Sequence, residues 1–386
     1  MNRIIIDMSP IIYGSRAVKR CTASMVNELM KYEETRLNLL YFDYKYQTDK
    51  YLKPVKDHVR QTVIPVPYRL LVPFWKRFSF PYLEMFFCKG DLFYTNEFYF
   101  PPTKGVLTLA TIHGLSYKVI PGRLPSENVH LFNQGLLFIL KHADYLVAVS
   151  ETTRNELIQY TGVDPQRIYV VTHGVDKRFR RLSNHQEVRD RLKENYELID
   201  PYILYVGAIG THKNILGILS AYNLLAHKTA QHLVLAGPPD SAWDSSKRYV
   251  AEKNLSDRVH FLGHIYETDQ LVDLYNGADL FVFPSFYEGW TSPPLEAMAC
   301  GTPVITSSCS SLPETVGDAA IKVEPENTTK LADEIKNVLN DRSLRDGLVK
   351  KGLAHSAFHS WEKAADKLMG VFGEIRTRGP WKGKRV

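Results

Sequence analysis

The sequence predicts an α/β protein made of two doubly wound, parallel-sheet domains, and three observations carry that prediction. At 386 residues the chain exceeds what one hydrophobic core usually organises, so two domains are the first expectation. Short apolar runs alternate with longer amphipathic stretches, the order that builds parallel sheets covered by helices. The alternation breaks once, in the charged stretch DKRFRRLSNHQEVRDRLKENYELID, and then restarts.

In chain order, RIIID (3–7) reads as the first strand, followed by a Gly-containing loop and the helical pattern TASMVNELMKY. LNLLYF, TVIPV, DLFYT, LTLATIH, YLVAVS and IYVVTHG follow as strands. ENVHLFNQGLLFILKHA and ETTRNELIQYTG lie between them as helices, with Ser150 placed to cap the second. The charged stretch is read as the linker. Beyond it come the strand YILYVGA, a helix from about Asn214, the strands HLVLAG and RVHFLG, and the helix QLVDLYNGA. LFVFPS, a helix opened by Pro293-Pro294, PVITSS and AIKVEP complete the second series. The domains are drawn at 1–178 and 179–360, and a final helix over about 361–376 can cross back onto the first. The basic tail after Ile375 is expected to be mobile.

Composition excludes several classes. With 44% hydrophobic and 23% charged residues the chain is globular rather than disordered. No run of about 18 uncharged apolar residues occurs to span a membrane. The apolar run at the N-terminus is broken by Asp7 and is too short for a signal peptide. The four cysteines form no CxxC pair or zinc spacing, which implies free thiols in a reducing, cytoplasmic setting. VGAIGTHKN matches neither a dinucleotide loop nor a P-loop.

The net charge of +6 is uneven: residues 1–180 hold 24 Lys/Arg against 16 Asp/Glu, leaving 24 against 26 in the remainder. A generally basic surface explains this, and so does an anionic partner of the N-terminal half. The stretch YRLLVPFWKRFSFPYLEMFFCKGDLFYTNEFYFPP (68–102) mixes Trp75, many Phe and Tyr, and basic residues. It reads either as core helix plus loop or as a patch that sits among lipid headgroups.

The chemistry concentrates in FVFPSFYEGWTSPPLEAMACGTPVI (281–305), where a buried strand runs into a loop with Glu288 and a helix with Glu296 in its first turn. Taken alone, the two acids complement the positive end of the helix dipole, worth about 0.3–1 kcal/mol each. That role needs only one acid in the first turn and none held back in the loop. A cis-diol, by contrast, calls for an ionised carboxylate that accepts two hydrogen bonds.

This block resembles the signature of retaining glycosyltransferase family 4, nucleotide-sugar enzymes of the GT-B fold. ADYLVAVSETTRNELIQYTGVDPQRIYVVTHGVD, YILYVGAIGTHKNILGILSAYNLL and VHFLGHIYETDQLVDLYNGADLFVFPS match the family's segments in order, so the resemblance covers the chain well from about residue 106. It implies two Rossmann-like domains facing across a cleft. It also implies that Glu296 holds the donor ribose and Glu288 the donor sugar, with the amides of Trp290 and Thr291. The Ser292 amide would face the diphosphate and Lys213 would neutralise it. Where the family places an arginine, this chain has Ala208 and His212. The base would lie against backbone at Gly263-His264-Ile265.

In the first domain the resemblance assigns His113 to the donor sugar. It places Gly14 where backbone nears the phosphates, a glycine that a plain turn explains equally.

The implied reaction is transfer of a hexose, mannose from GDP-mannose first, to a glycan or polyprenyl-linked saccharide in surface polysaccharide synthesis. Configuration is retained, and no metal or cofactor is required. An anionic membrane surface, met peripherally at the inner face, is the further expected partner, and nucleic acid is not. A catalytically inactive nucleotide-sugar-binding subunit and a sugar-nucleotide epimerase of the same fold are the alternatives.

Overall fold

The computed structural model describes residues 2–43, 56–86, 88–198, 201–383 and 385. The chain divides into two compact units, the first taking 1–118, 125–173 and 361–386 and the second taking 119–124 and 174–360. The first sheet contains β1 (Asn2–Asp7), β2 (Thr35–Phe42), β3 (Val59–Ile64), β4 (Leu92–Thr95), β5 (Leu107–Ile112), β6 (Tyr145–Ala148) and β7 (Ile168–Val170). Its order is β3-β2-β1-β4-β5-β6-β7. The second contains β8 (Tyr202–Val206), β9 (His232–Ala236), β10 (Val259–Gly263), β11 (Leu280–Phe283), β12 (Val304–Ser307) and β13 (Ile321–Val323). These stand in the order β10-β9-β8-β11-β12-β13.

The described strands pair in parallel throughout. Each sheet therefore starts in its middle, grows to one edge and crosses back. The order reverses between β1 and β4 in one unit and between β8 and β11 in the other. At such a reversal the loops leaving the two central strands turn to opposite faces, opening a crevice at the carboxyl ends.

Local chemistry sets the elements. β4, β5, β6, β11 and β12 are buried along their whole length, which is why they read as continuous apolar runs rather than alternating ones. Ser150 caps α6 (Glu151–Thr161) by accepting from the Thr153 amide at 2.9 Å, and Gly162 closes it in the left-handed region. Pro293 and Pro294 open α11 (Pro293–Ala299), where a missing N–H costs nothing.

The charged stretch is more than a linker. It contains α7 (His185–Tyr196), which buries Val188 and Leu192 and grips α10 (Thr268–Gly277) through a two-point bond from Arg191 to Asp273, at 2.6 and 2.7 Å. Its charge is the outer face of a helix belonging to the second unit.

The last helix, α15 (Trp361–Arg378), belongs to the first unit. Trp361, Ala364, Ala365, Leu368, Val371, Phe372 and Ile375 form its buried stripe within the core of β1, β2 and β4. The expected mobile tail is corrected here. The helix continues to Arg378, the Trp381 ring packs edge-on against Tyr145 at 5.9 Å, and Arg385 pairs with Asp144. Leu368 is fully buried in this stripe. Leu368→Ala should cost about 2–5 kcal/mol, read as a lower urea midpoint for the first unit.

Candidate active site

The switch point of the second sheet brings two loops together. Leaving β8, the chain runs through Gly207 to a short 3-10 turn at Thr211–Lys213, followed by Asn214 in the left-handed region. The β8 and β9 loops touch backbone to backbone there: a Cβ at Gly237 would lie 1.8 Å from the Gly207 carbonyl. Leaving β11, the chain runs through Ser285 to Glu288 before α11 begins. The His212 carbonyl ties the loops by accepting from the Phe286 amide at 2.9 Å and from Ser285 Oγ at 3.1 Å.

Between them lies an ion pair. Lys213 Nζ donates to Glu288 Oε1 at 2.6 Å, with side-chain exposures of 16% and 10%. Ser285 Oγ donates to the same oxygen at 2.7 Å. The other oxygen, Oε2, has no partner among the described residues. The Glu288 backbone is pinned by two serines: its amide donates to Ser310 Oγ at 3.0 Å, and its carbonyl accepts from Ser311 Oγ at 2.8 Å. Glu288 is therefore not a helix-dipole acid. It is held back from α11 to meet a lysine of the loop that leaves β8.

The resemblance assigned Lys213 and Glu288 to different parts of a ligand, whereas the structure pairs them with each other. The amides of Trp290, Thr291 and Ser292 make no hydrogen bond among the described residues, and the indole Nε1 of Trp290 is buried without a partner. Four donors in one short segment are thus uncommitted. His212 lies beside the pair, and burial followed by the Lys213 charge lowers its pKa.

Other assigned residues stand apart from the pair. Glu296 is in the first turn of α11 but enclosed, 1% exposed, with Oε2 accepting from the Tyr275 hydroxyl at 3.1 Å. A ligand reaches it only if neighbouring chain moves. Ile265 follows β10 at the outer edge of the sheet, beside Gly263 in the left-handed region. Gly14 ends a short helix, α1 (Ser9–Tyr13), where a Cβ would come within 2.6 Å of the Pro10 carbonyl. Its amide donates to that carbonyl, so the turn accounts for this glycine.

His113 stands at the carboxyl end of β5 in the first unit. Its Nε2 is buried with no partner among the described residues, and desolvation lowers its pKa to about 4. It is a neutral imidazole at physiological pH. Sequence reasoning missed its neighbours: the His173 ring lies 5.7 Å away and its Nδ1 is 3.3 Å from Cys21 Sγ. Ser285 and Ser310 were missed too. Arg123, with its guanidinium 3.4 Å from the Phe286 ring centre and an ion pair to Glu326 at 3.5 Å, was also missed. Only Ser285 had a local signal, since it ends the apolar run of β11. The others come from distant sequence. Among the described residues, no group of three His, Cys, Asp or Glu is placed to hold a metal ion.

Residues 41–179 match the model of "Glycosyltransferase Family 4", and residues 185–355 match "Glycosyl transferases group 1". The O-antigen chain mannosyltransferase B of Escherichia coli is 30% identical over 320 residues, 81% of each chain. The chain belongs to the family 4 glycosyltransferases.

The serotype-specific mannosyltransferase WbdA of Escherichia coli is 32% identical over 247 residues, 63% of this glycosyltransferase but 30% of that longer protein. Sucrose-phosphate synthase from Thermosynechococcus elongatus superposes with a TM-score of 0.74 at 22% identity, covering 98% of this chain and 100% of the other. That likeness identifies the two-domain GT-B fold.

A pH dependence follows from the buried imidazoles. His173 is lowered to about 3 by burial and then by His113, so the folded glycosyltransferase holds it neutral while the unfolded chain protonates near 6.5. The unfolded state binds the extra proton between those values. The resulting stability is complete above about pH 6.5 and is lost as pH falls toward the folded value. His173→Gln should flatten the fall in stability below pH 6.5 by up to about 1.4 kcal/mol per pH unit, measured by urea titration at stepped pH.

Proposed function

We propose that this glycosyltransferase moves mannose from GDP-mannose to a glycan or polyprenyl-linked saccharide of bacterial surface polysaccharide synthesis, with retained configuration and no metal. The single observation that supports it most is the Lys213–Glu288 pair at the switch point of the second sheet, beside the free amides of residues 290–292. The names of the two Escherichia coli mannosyltransferases support the sugar and the polysaccharide setting.

In this reading an arriving diphosphate competes with Glu288 for Lys213. The lysine turns to the phosphates, and the released carboxylate accepts hydrogen bonds from sugar hydroxyls, with Ser285 still orienting it. The bond from the anomeric carbon to the phosphate oxygen breaks as the acceptor oxygen bonds to that carbon on the same face. The acceptor proton passes to the departing diphosphate. Charge grows on the diphosphate in this step, and Lys213 with the backbone amides is placed to stabilise it without rearranging solvent. His113, held neutral, offers a hydrogen bond to a sugar hydroxyl rather than a second charge. Glu296 holds the ribose once donor entry uncovers it. The acceptor is met peripherally at an anionic membrane surface, a setting supported by the basic N-terminal half.

The first test is a thermal-shift titration with GDP, UDP, dTDP and ADP on wild type and Glu296→Ala. A nucleotide at 100 times its dissociation constant should stabilise by about 2.7 kcal/mol. GDP alone should raise the wild-type midpoint, with a smaller rise in the variant. A shift by UDP or dTDP instead overturns the donor, and silence from all four overturns the nucleotide-sugar reading.

Glu288→Ala should lower turnover on the order of 10²-fold with GDP binding retained, whereas Glu296→Ala should mainly weaken donor binding. Equal activity in both variants removes the assignment. Activity that disappears with EDTA and returns with magnesium overturns metal independence, and an inverted anomeric signal in the product's NMR spectrum overturns retention.

A further inference from the structure

The strongest unexplained feature outside the site is an apolar face on the first unit. α3 (Tyr68–Phe78) turns Tyr68 and Trp75 inward, where the Trp75 indole donates to the Pro81 carbonyl at 3.1 Å and its ring meets Phe42 edge-on. The helix is amphipathic in an unusual sense, because its opposite side is apolar as well. Leu70, Phe74 and Phe78, spaced four residues apart, are 61%, 51% and 64% exposed. Phe80 and Met85 follow at 45% and 50%.

The face continues onto α5 (Ser126–His142). Lys76 donates to Gln134 at 2.8 Å, and Leu131 and Leu137, one turn either side of Gln134, are 51% and 60% exposed. Of the twelve large hydrophobic side chains exposed among the described residues, these are seven. The concentration separates a built surface from the scattered exposure that any soluble domain shows.

Charge decides among occupants. α3 carries Arg69, Lys76 and Arg77, all exposed, and no acid in its sequence YRLLVPFWKRF. Arg77 lies 5.5 Å from the Phe78 ring centre, so cation and apolar tip share one edge. A second copy of the chain would set these cations against their own kind. An anionic bilayer instead takes the apolar tips at the acyl boundary and the cations among its phosphates.

We propose that the α3–α5 face of the first unit is the surface by which this protein lies on an anionic membrane, with Leu70, Phe74 and Phe78 entering the headgroup layer. The inference gives a location to the membrane setting of the reading above and rests on it. It also corrects which aromatics of residues 68–102 serve: Trp75, Phe93 and Phe100 are core, and the phenylalanines of the outer stripe are the anchors.

The test uses the full chain with vesicles of phosphatidylcholine and phosphatidylglycerol at a ratio of about 7:3, or of phosphatidylcholine alone, at low salt. Wild type should sediment with the mixed vesicles and not with the neutral ones. Phe74→Ser with Phe78→Ser, and separately Arg69→Gln with Arg77→Gln, should each lower the bound fraction at least tenfold, with the GDP-dependent thermal shift unchanged. That unchanged shift shows a folded nucleotide site. Its absence in wild type would count against the donor reading alone.

Two results overturn the surface: equal partitioning of wild type and the phenylalanine variant, or no binding by wild type at all. Sedimentation equilibrium adds a third. A wild-type dimer that the phenylalanine variant converts to monomer would assign the face to self-association.

Discussion

The second unit depends on where a buried carboxylate finds its positive charge. Glu288 and Lys213 are both largely removed from water, and either one alone would be an expensive charge to bury. Together they are satisfied, and their meeting fixes the ends of β8 and β11 relative to each other. The His212 carbonyl, Ser285, Ser310 and Ser311 complete the clamp. The amides of residues 290–292 are thereby held without a hydrogen bond among the described residues. The ion pair and the serines thus clamp the two switch-point loops to each other.

The first unit solves a different problem. Its sheet end carries ionisable groups with little water: Asp7 is fully buried with its pKa raised, Glu97 is pushed to about 8, and His113 is lowered to about 4. Burial is the leading cause in each case, so these groups favour their neutral forms. Neutral hydrogen-bonding groups thus gather at this end of the first sheet. The neutral imidazole at position 113 and the paired charge of Lys213 and Glu288 are two different ways of keeping ionisable groups out of water.

Much of the fold was legible because periodicity and burial are local statements. Runs such as LFVFPS and YLVAVS are apolar throughout because both faces of a parallel strand are covered. Ser150 announced its helix, and the charged stretch marked the passage between units while hiding α7, whose two buried residues are too few to outweigh nine polar ones in a reading by composition. The tail after Ile375 was misjudged for the same reason. Arg385 pairs with Asp144 and the Trp381 ring packs on Tyr145, residues more than two hundred positions earlier.

By itself, the sequence determined the α/β class, the two parallel sheets, the family and the stretch of residues 281–305 as the place of interest. Each of these rests on patterns between neighbours in the chain. Tertiary structure alone decided that Glu288 pairs with Lys213, that Glu296 is enclosed against Tyr275, that a Cβ at Gly14 would meet the Pro10 carbonyl, and which phenylalanines of α3 face outward. The physical reason is that partners and burial are properties of three-dimensional neighbours. Seventy-five residues separate Lys213 from Glu288, and only the reversal of strand order between β8 and β11 brings them within hydrogen-bonding distance.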